Sequence, residues 1–159
     1  MSGGTISGCS ADTGGGLCAE KSSTVTISGG TISGCSASKG GGLYADNSIV
    51  TINKGTISEC KAVNGYGGGL YAQNYSTVTI EGGTISGCKK VGAGGGLFVD
   101  SSTIRISGGI ISGCITSDTG NGGGLYAKDS TIKITGGRIE NNKAAHGGGV
   151  APIRKTTVE

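Results

Sequence analysis

The stretch Ser23–Cys35, STVTISGGTISGC, reads as two short strands joined through a pair of glycines. In TVTI (Thr24–Ile27), Val25 and Ile27 fall on one face and Thr24 and Thr26 on the other, which is the period of a strand. The second half recurs along the chain. G-[TI]-I-S-[GE]-C begins at Gly4, Gly30, Gly55, Gly83 and Gly109, and a sixth version, GRIENN, begins at Gly137. In each copy the central isoleucine, such as Ile6, points opposite to its neighbours Thr5 and Ser7. A loop of four to seven residues follows, then GGG and a Leu or Val: Gly14–Gly16, Gly40–Gly42, Gly67–Gly69, Gly94–Gly96, Gly122–Gly124 and Gly147–Gly149. Successive motif glycines are 26, 25, 28, 26 and 28 residues apart. No segment carries a helical period.

Three strand signals per unit, separated by Gly, Ser or Asn turns, predict one solenoid coil per repeat. Successive coils stack as parallel sheets about 4.8 Å apart. The expectation is an all-β chain of one domain, residues 1–159, with six coils of 25–28 residues and three short strands each. Inward residues then form ladders. One is Ile6, Ile32, Ile57, Ile85, Ile111 and Ile139. A second is Val25, Val50, Val78, Ile104, Ile132 and Val158. A third is Leu17, Leu43, Leu70, Leu97, Leu125 and Val150. The glycine triplets permit tight corners and positive φ. Composition agrees with a narrow core: 36 Gly, one Pro, no Trp and 4 % aromatics cannot fill a broad globular one. Fixed Ile and Val positions argue against disorder, and the Gly-every-third-residue period of collagen is missing.

With these motifs the chain resembles right-handed parallel β-helix proteins of the pectate-lyase-like superfamily. It resembles more narrowly bacterial surface proteins with GGTISGN and GGGVY repeats, and more distantly the polymorphic outer-membrane proteins. The resemblance covers essentially the whole chain and implies a right-handed β-solenoid at the cell surface or outside the cell. Cys stands where those repeats usually carry Asn; only the last coil keeps Asn, at Asn142.

The two ends of the chain also fit the repeat. TTVE before MSGGTISGC reads as a copy of STVTISGGTISGC, with Met1 in the place of Ile27 and Ser2 and Gly3 in those of Ser28 and Gly29. Counted this way the 159 residues make six whole coils, cut inside a strand. Neither end shows a polar capping segment, and an uncapped sheet end invites another chain. A head-to-tail contact that does not close makes a filament. The expected junction residues are Met1, Ser2, Gly3, Thr5, Ile6 and Cys9 at one end and Val150, Thr157, Val158 and Glu159 at the other. The expected partner is a second copy, with neighbouring fibres or glycans as further partners.

Five cysteines, Cys9, Cys35, Cys60, Cys88 and Cys114, share one column. They are expected to pack as free thiols, since no short-spaced Cys pair suggests zinc and in-register neighbours suit disulfides poorly. Tyr44, Tyr71, Phe98 and Tyr126 alternate with the inward leucines and are expected to form an exposed outward ladder. Outward threonines (Thr24, Thr77, Thr103, Thr131, Thr157) resemble the flat arrays of ice-binding proteins, and an adhesin-like carbohydrate binder is the other alternative to a structural subunit. Asp46 and Asp100, with Gln73 between them, Glu20 below and Lys128 above, read as a solvated turn column, and His146 as a surface residue. No nucleophile motif or phosphate loop is present, so no enzyme activity, cofactor or metal is expected. The net charge of +3 is scattered, without the aromatic interleaving of a nucleic-acid surface. No 18-residue apolar run and no leader segment are visible.

Overall fold

A computed structural model describes residues 1–90 and 92–159. The described chain is a parallel β-solenoid of six coils without helix. Three sheets hold six strands each, one strand per coil. The first runs from Thr5–Ser7 to Arg138–Glu140, the second from Leu17–Ala19 to Val150–Ile153, and the third from Thr24–Ile27 to Thr157–Val158.

All three expected ladders form in register. Ile6 pairs with Ile32, Leu70 with Leu97, and Val78 with Ile104, each in a parallel bridge. Leu43, Leu70, Leu97 and Leu125 are fully buried, as are Val50, Val78, Ile104 and Ile132. Burying one such side chain contributes about 1.5–3 kcal/mol relative to leaving it in water. Two further columns complete the core: Ile27, Ile52, Ile80 and Ile106, and the small Ala45, Ala72, Val99 and Ala127.

One glycine triplet shows why the motif is GGG. Gly67 sits at φ +68°, a conformation that a side chain disfavours. A methyl group on Gly68 would strike backbone atoms of Gly95 and Lys89 in the next coil. A methyl group on Gly69 would lie 2.7 Å from Gly96 O, 3.0 Å from Ile85 Cγ2 and 3.1 Å from Cys88 Sγ. The third glycine therefore makes room first for the backbone of the next coil and then for its isoleucine and cysteine.

Two features depart from the sequence reading. A fourth, four-stranded sheet follows the cysteines, built from Ser36–Ala37, Lys61–Ala62, Lys89–Lys90 and Ile115–Thr116. Its strands are two residues long, and each position mixes residue types, so no alternation betrays it. The second departure is the aromatic ladder. Tyr44, Tyr71 and Phe98 are only 4 % exposed and Tyr126 8 %, so the expected exposed stripe is buried. These rings do point away from the solenoid interior, but loops before the glycine triplets fold over them. Tyr66 lies 4.5 Å from the Phe98 ring and 6.1 Å from that of Tyr71. The Lys39 ammonium sits 5.6 Å from the Tyr71 centroid. Within the column, ring centroids are 5.7, 5.1 and 4.8 Å apart from Tyr44 to Tyr126. The stack forms a second small core with Ala93 and Ala151.

Candidate functional site

The expected junction residues lie at the two opposite ends of the solenoid. Columns that are sealed in the middle coils open there. Ile6, Leu17 and Val25 in the first coil and Ile139 and Val150 in the last are half-buried, and Val158 is 51 % exposed. Cys9 is exposed although Cys35, Cys60, Cys88 and Cys114 in its column are fully buried.

Both terminal residues pair with the third sheet. The Met1 ammonium donates to Thr26 O at 2.6 Å, and Ser28 N–H donates to Met1 O at 2.8 Å. Met1 thereby takes the rung beneath Ile27. At the other end, Glu159 N–H donates to Ile132 O and Ile134 N–H donates to Glu159 O, both at 2.9 Å. Glu159 takes the rung above Lys133, with its carboxylate 3.4 Å from the Lys133 ammonium. That exposed ion pair contributes little stability. The two termini thus occupy adjacent columns of one sheet, at opposite faces of the stack.

The cysteine column is uniform. Each Sγ donates to the carbonyl of the serine two residues earlier, at 3.4 Å for Cys9, Cys35 and Cys88, 3.3 Å for Cys60 and 3.5 Å for Cys114. From the second coil on it also faces an isoleucine carbonyl of the preceding coil, as Cys60 faces Ile32 O at 3.8 Å. Asn142 makes the stronger version of this contact. Its amide donates to Ile111 O at 2.9 Å and accepts the Cys114 N–H at 2.8 Å. All six cysteines are free thiols. The thiols of Cys114 and Cys60 on either side, together with burial, push the Cys88 thiol well above its ordinary value.

The turn column is more ordered than a set of solvated turns. Asp46 accepts hydrogen bonds from Gln73 and Asn74 at 2.9 Å and from the Tyr44 hydroxyl at 3.1 Å. Burial raises its pKa, but these three donors outweigh that and hold it below the usual value. Asp100 pairs with Lys128 at 2.9 Å. Both carboxylates are engaged in holding neighbouring coils together. Beside them runs a ladder that the sequence reading missed. The hydroxyls of Ser48, Ser76, Ser102 and Ser130 each accept the N–H of the equivalent serine one coil earlier, at 3.0–3.2 Å. Each also donates to a carbonyl of its own turn at 2.7–2.8 Å. The recurring Ser before each TVTI-type strand was the available signal. Thr24, Thr77, Thr103 and Thr131 do face outward, but the column passes through Ile49, and its neighbour through Arg105 and Lys133.

Burial, with the nearby Asp100, Tyr66 and Asp46, pushes the Tyr71 hydroxyl up to about 12. Its unfolded value is about 10. The folded chain then holds this proton where the unfolded one has lost it, so stability present below pH 10 falls as pH rises toward about 12. Alkaline titration followed by circular dichroism should show unfolding in that window, and Tyr71→Phe should move the midpoint upward. An unchanged midpoint in that variant would count against the buried hydroxyl.

Among the described residues no helix is long and apolar enough to cross a membrane. Neither a curated protein nor a solved structure matches the chain. The profile described as "Right handed beta helix region" matches residues 1–158, and this family holds both enzymes and structural proteins. With that match over nearly every residue, and with the stacked coils described above, the chain belongs to the right-handed β-helix family.

Proposed function

We propose that this chain is a structural subunit, not an enzyme, and that copies stack head to tail into a continuous β-solenoid filament. The observation that carries the proposal is the pair of open end coils, where Ile6, Leu17 and Val25 on one face and Ile139, Val150 and Val158 on the other continue ladders that are sealed in the middle coils. Glu159 ends a strand one column short of the ladder Ile27, Ile52, Ile80, Ile106 and Ile134, and Met1 begins in that column. Setting one copy on another brings Met1 directly after Glu159, with Val158 beneath Val25 and Thr157 beneath Thr24. Ile139 and Val150 would lie beneath Ile6 and Leu17, and Cys9 above Asn142. Half-exposed apolar rungs at both ends would then be sealed. Each copy adds six coils, a rise of roughly 29 Å. The Met1 ammonium would meet the Glu159 carboxylate, a modest gain near a surface.

The resemblance of the repeats to bacterial surface proteins supports a place at the cell surface or outside the cell. Electron microscopy of the purified 159-residue chain tests the reading. Filaments with an axial repeat near the six-coil rise are expected, and Val158→Lys, which sets a charge into the joined ladder, should leave dispersed particles. Wild-type chains that stay monomeric at high concentration would overturn it.

A further inference from the structure

We propose that the groove beside Lys61, Lys89 and Lys90 on the fourth sheet binds a small amphiphilic anion, a carboxylate carried on an apolar chain. The groove lies on the flank of the third to fifth coils, away from both end coils, so the inference is independent of filament formation.

In a chain whose columns repeat from coil to coil, three departures fall at this one place. Lys61 and Lys89 are cross-strand neighbours in register, where the first two coils carry Ser10 and Ser36. Like charges placed opposite each other destabilise a sheet. Lys90 stands in the column of Ala37 and Ala62 and is only 7 % exposed. A lysine is rarely buried without a partner. Glu59 holds φ +55° at a position that is glycine in Gly8, Gly34, Gly87 and Gly113. That backbone is costly for a residue with a side chain, and such strain gathers at binding sites. Among the described residues no ion pair includes Lys61, Lys89 or Lys90. Glu59 lines an adjoining groove with Lys61 and Lys89, and Asp118 follows Ser117 at the groove wall, but neither is ion-paired to these lysines. Burial holds the Lys90 ammonium below its usual value, a cost that an anion in the groove would offset.

Shape and lining select the ligand. The groove holds about 290 Å³, the size of a small-molecule site. Its wall is almost wholly apolar, made by Ala62, Thr116, Ile115 and the lysine stems. Ile115 continues the Lys61–Lys89 column and is 39 % exposed, so an apolar surface stands open directly beside the charges. A bare inorganic anion would leave that wall in water. A neutral hydrocarbon would leave the ammonium groups without a counter-charge. A carboxylate on a short apolar chain answers both needs: its oxygens accept charge-assisted hydrogen bonds from the lysines, and its chain covers Ala62 and Ile115.

The test is calorimetric titration of the whole chain with octanoate, with butyrate, octan-1-ol and inorganic phosphate as comparison probes. Octanoate should saturate at one molecule per chain and bind more tightly than any of the other three. Lys90→Ala installs the residue that two preceding coils carry at this place and should weaken octanoate roughly tenfold, the worth of a charged hydrogen bond. Ile115→Ser installs the residue type of Ser36 in the same column and should narrow the margin of octanoate over butyrate. Glu59→Gly, which restores the glycine of the neighbouring coils and removes a nearby negative charge, should tighten binding. No saturable uptake of octanoate, equal uptake of octan-1-ol, phosphate binding as tight as octanoate, or an affinity unchanged in both Lys90→Ala and Ile115→Ser would overturn the inference.

Discussion

Gly68→Ala is expected to destabilise the chain by roughly 3–5 kcal/mol, from overpacking and from the hydrogen bonds lost with it. The atoms in the way of the new methyl group are backbone: Gly95 O, with Lys89 O at 2.6 Å and Lys89 N at 2.8 Å. A side chain can turn aside, but these atoms move only if the two coils separate. Separation would break the bonds from Gly68 N–H to Gly94 O at 3.0 Å and from Gly69 N–H to Gly96 O at 2.9 Å. Gly87→Ala is the internal control. Gly87, unlike Gly68, has positive φ, at +61°, and its methyl group would meet nothing closer than Glu59 Cγ at 3.6 Å. That variant should lose only the left-handed penalty, about 1–2 kcal/mol. Urea unfolding of the two variants separates the effects. A loss at Gly68 no larger than that at Gly87 would mean that the coil contact does not explain the glycine there.

Phe98→Ala should cost about 3–4 kcal/mol, the loss for a large ring removed from a packed interior. Phe98 is 4 % exposed, with Tyr66, Tyr71 and Tyr126 at centroid distances of 4.5, 5.1 and 4.8 Å. Were the aromatic column the open stripe that strand alternation suggests, the same change would fall within about 0.5 kcal/mol. Tyr75→Ala calibrates the comparison, since Tyr75 is 86 % exposed and touches no aromatic stack. Thermal unfolding of both variants decides the point: matching midpoints would restore the exposed ladder and remove the second core.

The reach of sequence reading follows from how each feature is encoded. The isoleucine, leucine and valine ladders were legible because every coil repeats one residue type at one place, so chain alignment and spatial stacking coincide. The cysteine column was legible for the same reason, and Asn142 as its one departure. The serine ladder was equally repetitive, but its hydroxyls act across the stack, and Ser before a strand reads locally as a turn residue. The fourth sheet was hidden because Ser36, Lys61, Lys89 and Ile115 share a column without sharing a chemistry.

By itself, then, the order of residues determined the repeat, the parallel register and the inward columns, because a two-residue alternation repeated six times admits one stacking that turns the three Ile, Leu and Val ladders inward. Only the tertiary structure decided which outward residues meet water. Loops of four to seven residues, unalike in sequence, fold over the Tyr and Phe column and leave the Thr columns open. Their path is set by the coils already stacked beneath them, and strand alternation carries no information about it.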